Sequence, residues 1–595
     1  MTIIALGIAE SVLHRLATIP DLTVIARTSS FVFRNRPADA RDIGQVLDAR
    51  YLVEGSVQHL GARLRVTAQL IDATTGSHLW SLRFDRTLDD IFTVEDEIAQ
   101  SVADALQVSL DKPKHPYARF GIEAYVSYLQ GQALLATRRN NDVERAIEYF
   151  WRAVEIAPDF AAGHAALAQA IWQAALNAQT AGMGELNRVR TAHQRTLLMS
   201  SARDVQAALD RALELDDTLA EAYILRGDLK VWDDPAGAEA DYRRGLSLRP
   251  NFSYGHLRLS VLLYDLEGRE EETLAEVDRA ILLDPLMPQA YYIKGRYELF
   301  TETDEGGVAT EGEEYLQQAL LRAPDYHPAL LYVGVTRWHQ GRFADAVMLA
   351  ERAVAVDPRA EWMRRPLAEM YLDLGEIHAA RNVLLEAPAT VPPIQWLTVC
   401  LYERKPVQAA ELLSADPAPV GFIDADTAAY VLRDASLATG DLEEGRTELL
   451  DREARSTRIA PYVMMAVSHL SSVVGDREAS ERQARRLLEA NYGFYGVNRR
   501  ALTVPKAAAL TLLGEHDAAI KLLQKDFRLG FRWRWWYAFD REPAFDPLRA
   551  DPRFRALAAR AHAHADAERE RLSQMRDRGQ VPSRASGNPS GPKGC

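Results

Sequence analysis

Residues Tyr326–Pro358, YHPALLYVGVTRWHQGRFADAVMLAERAVAVDP, decide the fold. Leu330, Leu331, Val333 and Gly334 line one apolar helical face, and Gly341 falls where a turn is needed. Ala346, Leu349, Ala350 and Ala353 then recur at steps of three and four along a second helix. Small residues at Gly334, Ala346 and Ala353 let two helix backbones approach closely. Pro358 cannot continue the second helix and ends it. The stretch therefore reads as two helices packed back to back.

Its closing phrase, small-(V/I/L)-x-(L/I/V)-x-Pro or Asp, returns at Ala153–Pro158, Ala212–Asp217, Gly245–Pro250, Ala280–Pro285, Ala319–Pro324 (with Arg322 in the fourth place) and Ala353–Pro358. From Asp217 onward the last positions are 33, 35, 39 and 34 residues apart, and the earlier gap of 59 holds one repeat plus an insertion. A fixed period of this size marks stacked supersecondary units. Downstream the period continues as a turn signal around Gly375, Gly440, Gly475 and Gly514, with a shorter unit near Lys405. About ten or eleven helix pairs are expected between Tyr117 and Gly530. Asn177–Arg190, the acidic Thr301–Glu314 and Pro388–Pro393 read as loop insertions. These residues resemble the tetratricopeptide repeat in their small-residue positions, second-helix alanines and closing proline. The match is closest over Tyr326–Pro358 and weakens beyond Arg359.

Before Lys112 the helical period disappears. Tyr51, Val53, Gly55 and Val57 alternate with polar residues, as do Leu64, Val66, Ala68 and Leu70, and then Trp80, Leu82 and Phe84. Period two with one polar face describes antiparallel strands covered on one side, with turns at Gly61 and Gly76. Leu6–Thr18, Ala40–Ala49 and Ile91–Leu110 are expected as the covering helices, the last capped by Asp89 or Asp90, and Leu22–Ala26 as a further short strand. The segments GIAESVLHRLATIPDLTVIARTSSFVF, YLVEGSVQHLGARLRVTAQLIDATTGSHLWSLRFDR and LDDIFTVEDEIAQSVADAL resemble the TolB amino-terminal-like domain found beside such repeats in bacterial signalling proteins. In that family the domain commonly follows a class III adenylyl cyclase domain or a winged-helix domain, often across a membrane helix. Relative to it, this chain begins without the first strand. The resemblance thus implies a shortened or misassigned start, and a sheet edge left open to a partner strand.

The sequence is 47% hydrophobic and 26% charged, an ordinary globular composition. A formal charge of −14 argues against nucleic acid as a partner, because a phosphate backbone would be repelled on average. Cys400 and Cys595 supply neither a disulfide framework nor metal spacing. No run reaches the roughly 18 apolar residues that suggest a bilayer span, and Ile3–Ala9 lacks the basic flank of a signal peptide. As written the chain is expected in the cytoplasm. If an upstream membrane helix precedes it, the periplasmic side of the inner membrane is expected instead.

Phosphate-binding glycine loops, nucleophile elbows and zinc-protease helices are absent from the sequence, and no cyclase catalytic region lies outside the two domains. No catalytic residue, cofactor or metal is therefore assigned. His562 and His564 lie two apart on a helix and face different ways, which does not suit a shared ion. The acids of Thr301–Glu314 lack the positions of a calcium loop. Phe531, Trp533, Trp535, Trp536, Tyr537 and Phe539 form the densest aromatic cluster, read as sealing the open end of the stack. The expected organisation is mainly α: an α/β domain over 1–112, a solenoid of helix pairs over 117–530, an aromatic cap and helix over 531–575, and a disordered tail over 576–595. First helices of such pairs line a groove that takes a protein or peptide. Counting back from each closing proline makes Arg258, Asp265, Tyr292, Arg296, Trp338 and His339 the groove candidates. The Lys/Asn constellation with which some cochaperones clamp a peptide carboxylate is missing, Leu331 and Val335 standing in its place. The expected role is non-catalytic: a signalling or scaffold protein, or the regulatory portion of an adenylyl cyclase or winged-helix regulator whose effector lies upstream.

Overall fold

A computed structural model describes residues 2–584, less 18, 20–21, 35–37, 61–62, 88–89, 109–116, 136–139, 181–191, 232, 265, 267, 300–309, 359, 387–395, 416–421, 456–460, 490–501, 529 and 531–533. The protein is mainly α, a solenoid of helix pairs preceded by one small antiparallel sheet. The chain divides into two compact units, one comprising Met1–Ala181 with Ala192–Ile293, the other running from Lys294 to the end.

In the first unit, strands β1 (Tyr51–Leu60), β2 (Arg63–Asp72) and β3 (Ser77–Thr87) pair antiparallel in the order β1-β2-β3. Gly76 takes φ +73° in the second turn, a conformation costly for a residue with a Cβ. Helices α1 (Thr2–Leu16), α2 (Arg27–Ser30), α3 (Ala40–Leu47) and α4 (Ile91–Ala105) accompany the sheet. Ile8, Val12 and Leu16 of α1 meet Val94, Ile98 and Val102 of α4 over Val66, Ala68 and Phe84. The alternation read in the sequence thus has its apolar side covered. Asp90 stands at the start of α4 but caps no helix amide; its Oδ2 accepts from the Thr87 amide instead, at 3.1 Å.

Leu22–Ala26 is not a strand. It is extended, yet its backbone bonds run to the ends of repeat helices: the Ala26 amide donates to the Leu283 carbonyl at 2.7 Å, and Asn251 Nδ2 donates to the Leu22 carbonyl at 2.7 Å. Alternating apolar residues report an extended backbone, not the identity of its partner. Just beyond, the hydroxyls of Thr28 and Ser29 both donate to the fully buried Asp284, and the Leu286 amide donates to Ser29 Oγ at 2.8 Å.

The pairs of the first unit are α5 (Ile122–Leu135) with α6 (Asn140–Ile156), α7 (Ala161–Thr180) with α8 (Ala192–Leu215), α9 (Ala220–Lys230) with α10 (Pro235–Leu248), and α11 (Ser253–Leu263) with α12 (Glu270–Leu283). Asn177–Thr180, expected as part of an insertion, prolongs α7. Helix α13 (Pro288–Glu298) contains the boundary between the units. In the second unit come α14 (Thr310–Arg322), then α15 (His327–His339) with α16 (Phe343–Val356), α17 (Arg364–Asp373) with α18 (Ile377–Leu385), and α19 (Leu397–Tyr402) with α20 (Pro406–Ala415). They are followed by α21 (Phe422–Thr439) with α22 (Leu442–Arg455), α23 (Pro461–Val473) with α24 (Arg477–Glu489), and α25 (Thr503–Leu512) with α26 (His516–Arg528). Thr310–Glu314, expected as loop, begins α14.

The turn signal is met where it was expected. Gly341, Gly375, Gly440, Gly475 and Gly514 all have φ between +74° and +89° at the bend of their pairs. In the short pair the same place is taken by Arg404, at φ +62°. First helices touch their own partners and, along the rows α5–α7–α9–α11 and α17–α19–α21–α23–α25, one another. Two further helices close the chain, α27 (Trp535–Asp540) and α28 (Pro552–Asp577). The tail expected to be disordered from 576 keeps side-chain ion pairs at Arg576 and Arg584; residues 585–595 lie outside the described set.

Removing the Asp284 carboxylate leaves two serine/threonine hydroxyls without their acceptor. Asp284→Ala is expected to cost roughly 1–3 kcal/mol, read as a lower urea midpoint of unfolding.

Candidate functional site: the first-helix face of the second unit

Of the sequence candidates, Arg258 and Tyr292 belong to the first unit and Arg296, Trp338 and His339 to the second. Arg258 is buried in α11, its Nε donating to Asp228 Oδ1 of α9 at 2.6 Å, with the hydroxyl of Tyr242 on the same oxygen at 2.7 Å. Tyr292 is buried in α13. Arg296 is half-buried, its guanidinium 5.8 Å from the ring centre of Tyr332. Trp338 is buried and donates through Nε1 to Asp373 Oδ2 at 2.6 Å. Half-buried His339 stacks beside Trp338, ring centres 5.9 Å apart. Asp265 lies outside the described residues.

What the row of first helices does hold is the chain's own segment 534–548. Arg534 opens it in the left-handed region, φ +48° and ψ +35°, a backbone state that costs a non-glycine residue about 1 kcal/mol or more. Its surroundings hold it there. The Arg534 amide donates to Asp373 Oδ2 at 3.3 Å, and Nη2 donates to Glu369 Oε1 at 3.1 Å and to Thr427 Oγ1 at 3.0 Å. Trp535 Nε1 donates to the Asp373 carbonyl at 2.9 Å. The segment is therefore bound to α17 and α21 within its first two residues.

Farther along, Trp536 meets Tyr402 edge-on at 4.8 Å, and Arg541 Nη1 donates to the Leu401 carbonyl at 2.5 Å, both at the end of α19. Tyr537 packs at 4.4 Å on Tyr430. Arg433, 0% exposed in α21, reaches Glu542, also 0% exposed, through a two-toothed contact: Nη1–Oε1 at 2.8 Å and Nη2–Oε2 at 3.1 Å. Such a fork satisfies two donors and two acceptors that have lost water. Arg433 Nη2 also donates to the Tyr537 hydroxyl at 2.8 Å, and that hydroxyl donates to Asp434. Residues 543–548 then touch α25. The described part of the aromatic cluster, expected over the end of the stack, thus lies along the first helices α17, α19 and α21; Phe531 and Trp533 are outside the described residues.

Burial and charge move the titrating groups here in opposite senses. Burial raises the Asp373 carboxyl to about 8, helped by the neighbouring Glu369, while Trp338 and the Arg534 amide oppose it. Burial alone would raise Glu369 as well, but Arg534 and Arg365 hold its carboxyl below the usual range. His469 on α23 is pushed down to about 3 by burial and by the charge of Arg433, so its ring stays neutral. Sequence reasoning missed Glu369, Asp373, Arg433 and Glu542. The only trace was charged residues four apart in α17 and an Arg inside the apolar run AAYVLRDASLA.

His562 and His564 do not share a ligand: His562 Nε2 lies 3.0 Å from Asp540 Oδ1, and His564 Nε2 donates to the Gly341 carbonyl at 2.6 Å. Among the described residues no group of three His, Cys, Asp or Glu could hold a metal ion, and no helix is long and apolar enough to cross a membrane.

The tetratricopeptide repeat family model matches residues 337–400, which span the α15–α16 turn through most of α19. A protein named "Putative adenylate cyclase 3" from Rhizobium meliloti (strain 1021) is 39% identical over 166 residues, 27% of this chain and 28% of that protein. "Cellulose synthase operon protein C" from Xanthomonas axonopodis pv. citri (strain 306) is 29% identical over 206 residues, 34% of this chain and 11% of that protein. The chain thus spans well under a third of the length of either curated relative. Among solved structures, yeast Tom70 is 12% identical with a TM-score of 0.36, covering 73% of this chain and 94% of that one. MamA is 21% identical with a TM-score of 0.23, covering 31% and 96%. Likenesses at these scores add nothing to the helix pairs already described.

Two outcomes test this geometry. Glu542→Gln strands the Arg433 charge away from water and is expected to destabilise the second unit by roughly 3–5 kcal/mol, read from the urea midpoint followed by tryptophan fluorescence. Asp373 has its carboxyl raised from 3.8 to about 8 in the folded protein. It therefore contributes stability that is fully present below the unfolded value and lost as pH rises through the folded one. Stability should fall as pH rises from about 4 to about 8 and level off above, and Asp373→Asn should flatten that fall. An unchanged slope in the variant would show that Asp373 is ionised throughout.

Proposed function

We propose that this chain is a non-catalytic signalling or scaffold protein whose helix pairs capture a protein or peptide on their first-helix face, with a TolB-like amino-terminal domain as sensor or docking module. The observation that carries the reading is segment 534–548. It supports the reading because the chain's own segment is held on this face by paired charges, an indole donor and packed rings, the kinds of contact a captured peptide would use. The family match over 337–400 supports it. Among the candidates, Arg296 and His339 keep exposed surface and are the contact residues of choice, while Arg258, Tyr292 and Trp338 act by shaping the helices beneath.

A second reading, favoured by the 39% identity to a protein named as an adenylate cyclase, makes the chain the regulatory portion of a cyclase or winged-helix regulator. The coding sequence upstream of Met1 separates the two. A frame that continues into a catalytic or winged-helix domain establishes the fusion, and an in-frame stop removes it.

The capture reading is tested in the full chain with a photo-reactive benzoylphenylalanine at His339 or Arg296, and at Trp151, exposed on the second helix α6, as control. Discrete adducts from the first two positions and none from the third are expected. Identical patterns at all three would overturn the proposed face.

A further inference from the structure

Where the second helices α14 and α16 of the second unit meet α15, a groove of about 400 Å³ opens to solvent. Buried Leu330 and Val333 lie at its base, half-buried Leu320 and Leu349 along its sides, and Leu321, 72% exposed, at its edge. A second hollow of about 400 Å³ between α16 and α28 shares Asp345 and Met348 with the first, so the two adjoin. An apolar hollow edged by polar side chains is the usual form of a docking surface.

The polar edge is arginine. Arg337, Arg342 and Arg352 line the first hollow, Arg571 and Arg578 the second. Their carboxylates lie mostly beneath them. Asp345, 9% exposed, accepts from Arg342 Nε at 2.8 Å and from Arg571 Nη2 at 2.6 Å, and half-buried Glu313 pairs with Arg337. Arg352 pairs with the exposed Asp325, and Arg578 makes no ion pair among the described residues. Arg342, Arg352 and Arg571 are each 43–51% exposed. Solvent thus meets guanidinium groups around an apolar hollow, on a chain whose formal charge is −14.

Helix α22 of the same unit has the inverse layering. Its arginines are the half-buried groups: Arg446 Nη2 pairs with Glu443 and Arg452 Nε with Glu448, each at 2.7 Å. Glu443, Glu444, Thr447, Leu450 and Asp451 are exposed, and their steps of three and four place them on one side of the helix. The outcome is an acidic ridge with one apolar knob, Leu450.

We propose that the α22 ridge of one copy seats in the arginine-edged α14–α16 groove of a second copy, with Leu450 entering the apolar hollow beside Leu321. Groove against groove would set arginine on arginine, so a symmetric pairing of this surface is disfavoured. Groove and ridge are different surfaces, and such a head-to-tail contact repeats from copy to copy into rings or open chains. The contact goes beyond the capture reading of the first-helix face and does not rest on it.

The test is sedimentation velocity on the full chain, loaded from about 1 to about 100 μM at about 0.05 M NaCl. The weight-average mass should rise with concentration beyond two copies, and about 0.5 M NaCl should weaken the association by roughly tenfold. Arg352→Glu with Arg578→Glu should weaken it by roughly tenfold or more, as should Glu443→Arg with Glu444→Arg. All four side chains are exposed, so unfolding midpoints close to that of the unaltered chain should accompany the loss. Mixed in equal amounts, the two variants should associate again, because each now carries the charge that the other's altered surface requires. A mass fixed at one chain across the range overturns the proposal, and so does one that stops at two. Association that survives either double variant, or a mixture that stays monomeric, overturns it equally. Photo-adducts from His339 or Arg296 report on the first-helix face alone, so either reading can fail without the other.

Discussion

A guanidinium with no access to water needs a carboxylate, and Arg433 finds its own 109 residues farther along the chain. Neither group is tolerable alone: each would carry an uncompensated charge in a medium that solvates it poorly. The pair thus makes the first-helix row and the carboxyl-terminal segment mutually dependent. The Tyr537 hydroxyl extends the arrangement to Asp434, and the Ala544 amide, bound to Glu542 at 3.1 Å, ties the same carboxylate to the next turn.

The first unit solves an analogous problem with neutral donors. Asp284 closes helix α12 in full burial and takes two hydroxyls from Thr28 and Ser29, while the free Ala26 amide finds the Leu283 carbonyl. Backbone groups at helix ends have no partner within their helix, so they are natural seats for a passing extended chain. In both units a non-repeating segment is fastened where the repeats leave hydrogen bonds unspent.

Local signals were legible and distant ones were not. A bend that requires positive φ selects glycine whatever surrounds it, so Gly341, Gly375, Gly440, Gly475 and Gly514 announced the pairs. Period two announced β1 to β3 for the same reason. It misled at Leu22–Ala26, because alternation is indifferent to whether the neighbouring backbone is a strand or the end of a helix. The aromatic run of 531–539 has the composition of an end seal or of a groove filling alike, and only tertiary contact distinguishes them. Arg433 and Glu542 carry no spacing that links them. Their relation exists only once α21 and the closing segment are folded, which is why repeat counting reached the polar cluster at Trp338 alone, through its bond to Asp373.

Helix α19 has only 6 residues against 13 in α15, so it spans about 9 Å where its counterpart spans roughly 20 Å. Its end at Tyr402 receives Trp536, and Arg541 binds the Leu401 carbonyl there. A ladder of equal rungs would let a strip of rings slide by one repeat and meet much the same surroundings. One stunted rung removes that degeneracy, so the short pair acts as a notch that sets the position of the strip along the stack.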